Sequence, residues 1–594
     1  MMRSQIDLAY SPTMPSTSVP IENVQQTDGG SHIVSEGNDR PQRQRQGSSR
    51  LRDYEVFADT EITAEGDFVH MALLADMEPV CFDQAIKEEC WINAMKEEIH
   101  SIEKNGTWEL ITLPKGKKAI AVKWVYKLKL QPDGTIAKHK ARLVAKGFLQ
   151  KPEVDYDEVF APVARMETVR LVIAMASSKD WCIWQMDVKS AFLNGPLDKE
   201  VYVTQPLGFE VAGQEQKVYK LHKALYGLKQ APRAWNKRID GFLVKQGMTR
   251  CKTEHGIYIK STPEAASVVI CLYVDDLLIT GCKSEEVESI RNGLKFEFEM
   301  SDLGSLSYFL GIEFLKTSKG ILMHQKKYTL DVLERFNMQH CNPATTPVEP
   351  GNGLCKGKPN EDSVDSTLYR QVIGSLRYIC NTRPDISYGV GLISRYMEEP
   401  KQSHMIAAKR VLRYLKGTMD MGILFPTQNR AETMSMIGFT DADWSGDKDD
   451  RKSTTGYVFQ LNQAPISWSS KKQKSVALSS CEAEYVAACL GGCQAMWLQS
   501  LLEEIGLYYE NSMLLMVDNK SAINLAKNPI AHGRSKHIET KYHYLRDLVE
   551  KGRLKLEFCK SENQLADILT KPLRRNSFEV QRSKLGMVNQ ASMN

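Results

Sequence analysis

The sequence predicts a mixed α/β chain of several domains, closing with an α/β unit of about 140 residues. Three observations carry this. Residues 121–148 read as a period-two strand pair with lysines along one face. Residues 267–280 read as apolar strand broken by two adjacent acids, Asp275 and Asp276. From Met436 onward, strands give way to helices and then to a strand near Leu554–Cys559, with acids at strand ends and helix starts. A length of 594 residues leaves room for roughly four domains.

The elements follow in chain order. Met1 to about Asp53 is rich in Ser, Thr, Pro, Gln and Gly and poor in aromatics. Such a segment buries too little apolar surface to offset ordering entropy, so disorder is expected. Its closing basic cluster (Arg40, Arg43, Arg45, Arg50, Arg52) reads as a solvated tail before it reads as a nuclear or nucleic-acid signal. Ordered structure is expected from near Glu78. Phe82, Ala85, Ile86, Trp91, Ile92, Ala94, Met95 and Ile99 have helical spacing. In the next segment Trp124, Tyr126, Leu128 and Leu130 alternate with Lys123, Val125, Lys127 and Lys129, which is a strand; Pro132-Asp133-Gly134 is its turn. A helix is expected after Gly281, a strand near Tyr308–Lys316 and a helix over Tyr328–Met338. Asn342–Asp362 reads as a loop, and Thr367–Gly417 as three helical stretches, two of them parted by Arg383-Pro384.

Composition excludes several classes. Lys and Arg number 77 against 73 Asp and Glu, a formal charge of +4, and 42% of residues are apolar with 25% charged. This is ordinary for soluble globular protein, and net charge alone does not announce a nucleic-acid binder. The longest apolar run, Val268–Val274, is too short for a spanning helix of ~20 residues. The first twenty residues carry no secretory h-region. Thirteen cysteines, an odd count with no Cys-x-x-Cys pair, fit a reducing compartment. Cys489 and Cys493 can share a helix face, but no histidine is spaced to complete a zinc site, so they read as buried thiols.

The chemistry lies in the acids. Asp275 and Asp276 sit side by side within Val269–Ile279, where like charge and apolar flanks both oppose ionisation. A lone pair of this kind is an exposed hairpin tip. Here Asp187 ends another strand-like run, Trp184–Val188, and one Asp from one strand with two from a neighbouring hairpin can converge on two divalent ions. In-line phosphoryl transfer uses that arrangement, and an all-carboxylate set favours Mg²⁺. Alone, Asp187 reads as a helix cap. The run Lys115–Lys151 holds eleven Lys and Arg against one acid, Asp133, interleaved with Trp124 and Tyr126. That suits a surface that tracks phosphates. In the C-terminal unit, Asp441, Glu482, Asp518 and Asp567 each read singly as a cap or surface acid. Together in one α/β unit they suit two Mg²⁺ ions and phosphodiester hydrolysis, with Asp443 and Glu484 as the near alternatives.

These residues reach a family. Tyr273-Val274-Asp275-Asp276 resembles the active-site box of reverse transcriptases. The blocks Leu225–Trp235 and Lys140–Gly147 are similar to those of copia-type LTR retrotransposon polymerases. Ser479–Tyr485 and Ala566–Pro572 resemble the ribonuclease H domain of the same elements. The likeness spans about residues 78–575.

The resemblance implies a right-hand polymerase of fingers, palm and thumb followed by a ribonuclease H-like domain. The implied divisions are a disordered or linker tail at 1–77, fingers and palm at 78–325, and thumb or connection at 326–434. Ribonuclease H follows at 435–575 and a C-terminal tail at 576–594. It implies metal binding by Asp187, the Val188 carbonyl, Asp275 and Asp276 in one site, and by Asp441, Glu482, Asp518 and Asp567 in the other. Each site would hold two Mg²⁺, with Mn²⁺ as the alternative ion. Lys140, Arg142 and Lys229 would meet the triphosphate, and Phe192 would exclude a 2′-hydroxyl, although alone it reads as core. Ser305–Phe314 resembles the primer grip; its plain reading is a strand with a Gly bulge. His532, His537 and His543 are candidates for nucleic-acid contact or for structure.

The implied partners are an RNA template, a DNA primer, an RNA–DNA hybrid and deoxynucleoside triphosphates, with no membrane, and with a homodimer or integrase association. The implied location is cytoplasmic virus-like particles or the nucleus. No Asp-Thr/Ser-Gly protease signature and no zinc knuckle occurs, so a partial product or degenerate copy is expected. The rival reading is an inactive or co-opted relic that only binds nucleic acid.

Overall fold

In the computed structural model, residues 78–593 are described, apart from 131–135, 262–265, 352, 358–360, 429–433, 508–511 and 529–539. The expected tail 1–77 and the turn Pro132-Asp133-Gly134 lie outside the described residues.

A helix, α1 (Glu89–Lys104), carries Trp91, Ala94, Met95 and Ile102 on its buried face. Strand β1 (Trp108–Ile111) follows, and then β2 (Val122–Leu130) and β3 (Ile136–Ala145) pair antiparallel. Their period-two pattern sorts the residues as expected. Tyr126 and Leu128 are buried toward α1, where Trp91 meets Tyr126 edge-on at 5.4 Å. On the opposite face Lys127 pairs with Lys140, Lys129 with Lys138 and Val125 with Arg142. Directly paired residues share a face, so the cations gather there.

Helix α2 (Met166–Ser178) leads to β4 (Ile183–Val188). Strands β5 (Pro196–Val203) and β6 (Val218–Lys223) join β1 in a small sheet, and α3 (Ala231–Lys245) follows. Next come β7 (Thr249–Arg250), β8 (Ile257–Ser261), β9 (Ala266–Tyr273), β10 (Asp276–Gly281), α4 (Ser284–Glu297) and β11 (Met300–Ser305). The central sheet has the order β11-β4-β10-β9-β8-β7. Every residue of β9 is buried. Val269, Cys271 and Tyr273 join one core with α2, while Val268, Ile270 and Leu272 join another with α3. A strand covered on both faces reads as a continuous apolar run, which is why 267–274 shows no alternation.

A further sheet begins with β12 (Tyr308–Phe309), β13 (Ile312–Thr317) and β14 (Gly320–His324). Between β12 and β13, Leu310 and Gly311 form a two-residue turn with φ of 50° and 73°. A Cβ on Gly311 would lie 2.0 Å from the Tyr378 hydroxyl, so glycine is required there. This is a hairpin turn rather than a bulge within one strand. The helices α5 (Lys326–Arg335), α6 (Ser366–Ile379), α7 (Ser387–Ile393) and α8 (Gln402–Lys416) precede β15 (Met421–Pro426), which pairs with β14. The sheet therefore crosses the division expected at residue 325.

The C-terminal unit runs β16 (Met436–Ala442), β17 (Thr454–Leu461), β18 (Ala464–Lys472), α9 (Ser480–Glu504), β19 (Met513–Val517), α10 (Lys520–Lys527), α11 (Tyr544–Glu550) and β20 (Leu554–Phe558). Its sheet order is β18-β17-β16-β19-β20; β16 pairs parallel with β19, and β19 parallel with β20. Its core is not separate, because Ile466, Tyr485 and Leu515 belong to the same cluster as α2. Arg170 of α2 donates from Nε to the Ile466 carbonyl at 2.8 Å and stacks 3.7 Å from the Trp468 ring.

The segment 576–594 is not a tail. Helix α12 (Arg575–Lys584) and β21 (Met587–Asn589) return the chain to the preceding sheet, where β21 pairs with β15. Cys489 is buried as expected, whereas Cys493 is exposed. Among the described residues, no helix is long and apolar enough to cross a membrane.

Candidate functional site

Two acidic centres form at strand ends. In the first, Asp187 of β4 stands directly opposite Asp276, the first residue of β10. Directly opposed residues on antiparallel strands place their side chains on one face, with Cβ atoms about 5 Å apart. Asp275 lies in the turn that joins β9 to β10. Val274, beside it, takes φ 53°, costly for a β-branched residue. Two hydrogen bonds hold the turn there. Trp235 Nε1 donates to the Val274 carbonyl at 2.8 Å, and the Val188 backbone N–H donates to the Asp275 carbonyl at 3.0 Å. Val188 itself is buried next to Asp187.

The electrostatics follow from this packing. Burial pushes Asp275 up to about 8, and Asp187 and Asp276 push the same way while Arg142 and Lys140 oppose. Its Oδ1 is buried without a hydrogen-bond partner. Asp187 is also raised by burial, against Lys140, Lys129 and Arg142. Lys140 is held down to about 8, first by burial and then by Arg142 and Lys129. The cationic face of β2–β3 thus acts directly on the acids. The Arg142 guanidinium lies 4.1 Å from the Tyr226 ring centroid.

Phe192 is fully buried, in a short 3-10 turn after β4, with its ring 5.2 Å from Tyr226. Lys229 is exposed; its Nζ lies 3.3 Å from the Tyr156 hydroxyl and its backbone N–H donates to Gln150 Oε1 at 2.8 Å.

In the second centre Asp441 ends β16, Asp518 follows β19 and Asp567 sits in a 3-10 turn at Leu565–Leu569. One carboxylate oxygen from each lies within 4.8 Å of the others. Burial, then Asp441, raises Asp518 and pushes Asp567 up to about 7. Lys571 Nζ sits among them, 2.9 Å from Asp567 Oδ1 and 3.5 Å from Asp441 Oδ2. Thr570 Oγ1 donates to Asp441 Oδ2, and Ser561 Oγ to Asp518 Oδ2 at 3.1 Å.

The expected fourth acid, Glu482, is not in this group. It is the third residue of α9, where its N–H donates to Ser479 Oγ at 3.2 Å and its Oε2 accepts from the Leu478 N–H at 2.7 Å. That is a helix cap. Glu484, the near alternative, faces these acids: the charges of Asp441 and Asp518 act on it, and its Oε2 is buried with no hydrogen-bond partner. Burial, followed by Asp441 and Asp518, pushes it up to about 10. Residues two apart on a helix point about 200° apart, so only one of the two glutamates can face the sheet. Asp443 accepts from the Thr454 N–H and burial pushes it up to about 6. His543 Nδ1 lies 3.2 Å from the Tyr485 hydroxyl; His532 and His537 lie outside the described residues.

Sequence reasoning missed Lys571, Tyr226 and Trp235. Lys571 was legible as an i, i+4 partner of Asp567. Nothing local marks the other two, whose roles depend on long-range packing.

Both centres suit hard cations. Each offers clustered oxygen donors, raised carboxylate affinities for protons and a buried oxygen with no partner, Asp275 Oδ1 in one and Glu484 Oε2 in the other.

Residues 105–350 match the family model described as reverse transcriptase (RNA-dependent DNA polymerase). The chain is 42% identical over 505 residues to the retrovirus-related Pol polyprotein from transposon TNT 1-94 of Nicotiana tabacum, covering 84% of this chain and 38% of that protein. It is 37% identical to a transposon Ty5-1 protein of Saccharomyces cerevisiae, covering 51% of this chain and 98% of that one. The chain thus spans little more than a third of the length of the plant relative. A solved foamy viral protease-reverse transcriptase in complex with RNA/DNA hybrid aligns over 79% of this chain and 53% of that one, at TM-score 0.45 and 13% identity, a likeness too slight to argue from.

Proposed function

Since the chain belongs to the retrovirus-related Pol polyproteins of copia-type transposons and carries their reverse transcriptase domain, we propose that it polymerises DNA on RNA and DNA templates, and that its C-terminal unit cleaves the RNA strand of the hybrid. One observation carries the polymerase reading: Asp187, Asp275 and Asp276 converge beneath a strand face bearing Lys140 and Arg142. Carboxylates alone would repel a triphosphate, and cations alone would bind it without reacting.

Asp187, Asp275 and Asp276, with the Val188 carbonyl, would hold Mg²⁺ or Mn²⁺ in the first centre. Asp441, Asp518, Asp567 and Glu484 would hold it in the second. When bound, the ions supply an activated oxygen nucleophile and charge stabilisation at the departing oxygen. The chain's own groups do the rest. Lys140 and Arg142 bind and orient the triphosphate, and the Tyr226 ring beneath Arg142 fixes the guanidinium plane. Lys229 adds a further cation. Phe192 is fully buried against Tyr226 and packs in the core behind the site, so it offers no surface to a 2′-hydroxyl in this structure. In the second centre Lys571 pairs with Asp567 and Asp441 and holds the two carboxylates together.

Primer extension on poly(rA)/oligo(dT) with Mg²⁺ tests the polymerase. Incorporation that disappears in Asp275→Asn with Asp276→Asn supports it. A folded chain that binds the hybrid in a salt-sensitive way but incorporates nothing would leave a nucleic-acid-binding relic.

A further inference from the structure

The sheet of the C-terminal unit ends on β18, and a cavity of about 640 Å³ opens along that edge strand, where it meets α2 and α7. Six cations line it: Arg165 and Arg170 at the start of α2, Arg377 on α6, Arg395 just beyond α7, and Lys471 and Lys472 on β18. Lys471 and Lys472 are neighbours on a strand and point to opposite faces, so the cavity wraps around the edge rather than lying on one face.

Part of this charge is matched. Arg395 and Lys472 share Asp447, at 2.8 and 2.7 Å, and Lys472 also meets Asp450 at 2.8 Å. The rest is not. The one lining carboxylate, Glu167, accepts from Ser467 Oγ at 2.9 Å and Gln494 Nε2 at 3.3 Å instead. Arg170 is buried, stacks 3.7 Å from the Trp468 ring and donates to the Ile466 and Asn381 carbonyls, with no carboxylate in ion-pair distance among the described residues. Burial pulls it down to about 10, against the opposing charge of Glu167. Lys471 is exposed and has no ion-pair partner among the described residues. Arg165 lies 4.8 Å from the Trp497 ring centroid and meets Glu254 only at 3.8 Å. A buried cation held by carbonyl dipoles alone is costly, and further cations beside it raise the cost.

The shape says what would relieve it. On β2–β3 the cations run along a strand face, as suits a chain of phosphodiesters. Here Arg165, Arg170 and Lys471 converge from two elements on one bounded volume, of the size of a small-molecule site, roughly 300–1,000 Å³.

We propose that this cavity binds a small free polyphosphate, held by Lys471 and Arg165 over the buried charge of Arg170, and that the bound anion ties the C-terminal unit to α2. Neither acidic centre enters this assignment, so it stands or falls apart from the reading of both.

The test uses the full chain in buffer freed of metal by resin, because a soluble chelator is itself a polyanion. Lys140→Gln with Arg142→Gln is the starting variant, so that the first centre adds no anion binding. Inorganic tripolyphosphate and adenosine triphosphate are run side by side, which separates a bare phosphate chain from one carrying a nucleoside. Saturable binding of either, with a rise in melting temperature, is expected. Adding Lys471→Gln and Arg165→Gln should weaken it about tenfold or more, the scale of one lost charge-assisted hydrogen bond. Lys245→Gln, an exposed lysine on α3, should leave it unchanged. Asn381→Asp, isosteric at a lining position whose carbonyl meets Arg170, supplies the missing carboxylate. It should raise the melting temperature of the ligand-free chain and weaken tripolyphosphate about tenfold, a pair of effects that damage to the fold does not produce. Unchanged affinity in both the rim variant and Asn381→Asp would overturn the proposal, as would no binding once the first-centre cations are gone. A salt slope for RNA–DNA hybrid that falls in the rim variant, with no free polyphosphate bound, would also overturn it and give the cavity to a nucleic-acid strand.

Discussion

Glu484 faces Asp441, whose charge acts on it where α9 meets β16, while Glu482, one helical face away, accepts from the Leu478 N–H at the start of its own helix. The two glutamates therefore predict different failures. Glu484→Gln should cut RNA cleavage by about 100-fold or more, roughly 2.7 kcal/mol of barrier. Glu482→Gln should leave cleavage near the parent value and cost about 1 kcal/mol of stability through the cap. Hybrid cleavage and denaturant midpoints on the same preparations check both; the reverse pattern would restore Glu482 to the site.

The two centres are built from different strands and should fail independently. Asp187→Asn should lower primer extension by about 100-fold or more while hybrid cleavage persists, and Asp518→Asn should do the converse. Arg142→Lys keeps the charge but loses the planar stack on Tyr226, so the KM for deoxynucleotide should rise about tenfold with kcat less affected.

Stability of the metal-free chain should fall as pH rises from about 4 to 8. Asp275, raised to about 8, and Asp567, raised to about 7, keep protons in the folded state. The unfolded chain releases them near pH 4, so their contribution is complete below that value and lost through their folded values. Asp447, held low by Lys472 and backbone N–H groups, contributes in the opposite sense but only at lower pH. Lys140, depressed to about 8, relieves its own cost only above pH 8. Denaturant midpoints measured in EDTA should therefore drop across this window, less steeply in Asp275→Asn. A midpoint that rises with pH would contradict the buried, unpartnered carboxyl.

Lys571 is the cation that holds Asp567 and Asp441 together in the absence of metal. Lys571→Ala should lower the melting temperature in EDTA and enlarge the gain on adding Mg²⁺, because the ion no longer competes with an internal ammonium. Equal gains in parent and variant would mean that Lys571 does not share the ion's place.

Deleting residues 586–594 should uncover the edge of β15, against which Met587 is buried. The loss of that side chain alone is worth about 2 kcal/mol. Limited proteolysis near β15 should accelerate, and retention of parent resistance would show that the C-terminal strand is dispensable.

Much of this was legible residue by residue. The lysine face of β2–β3 follows from strict alternation, and the helices between 366 and 416 from their apolar spacing and from Arg383-Pro384. Six of the seven acids expected in the two centres lie at strand ends or turns where local pattern placed them. The seventh, Glu482, lies at a helix start with two glutamates, where local pattern does not declare which one faces the sheet.

The sequence by itself determined the strands, their buried faces, the acids at their ends and the family, since these depend on side-chain period and on ordered local motifs. Tertiary structure alone decided the choice of Glu484, the Arg142–Tyr226 stack, the cationic cavity and the return of β21 to β15. Each of these joins residues far apart in the chain or depends on helix rotation against a neighbour. Local preference is nearly indifferent to such choices; burial of charge and closure of a sheet edge settle them.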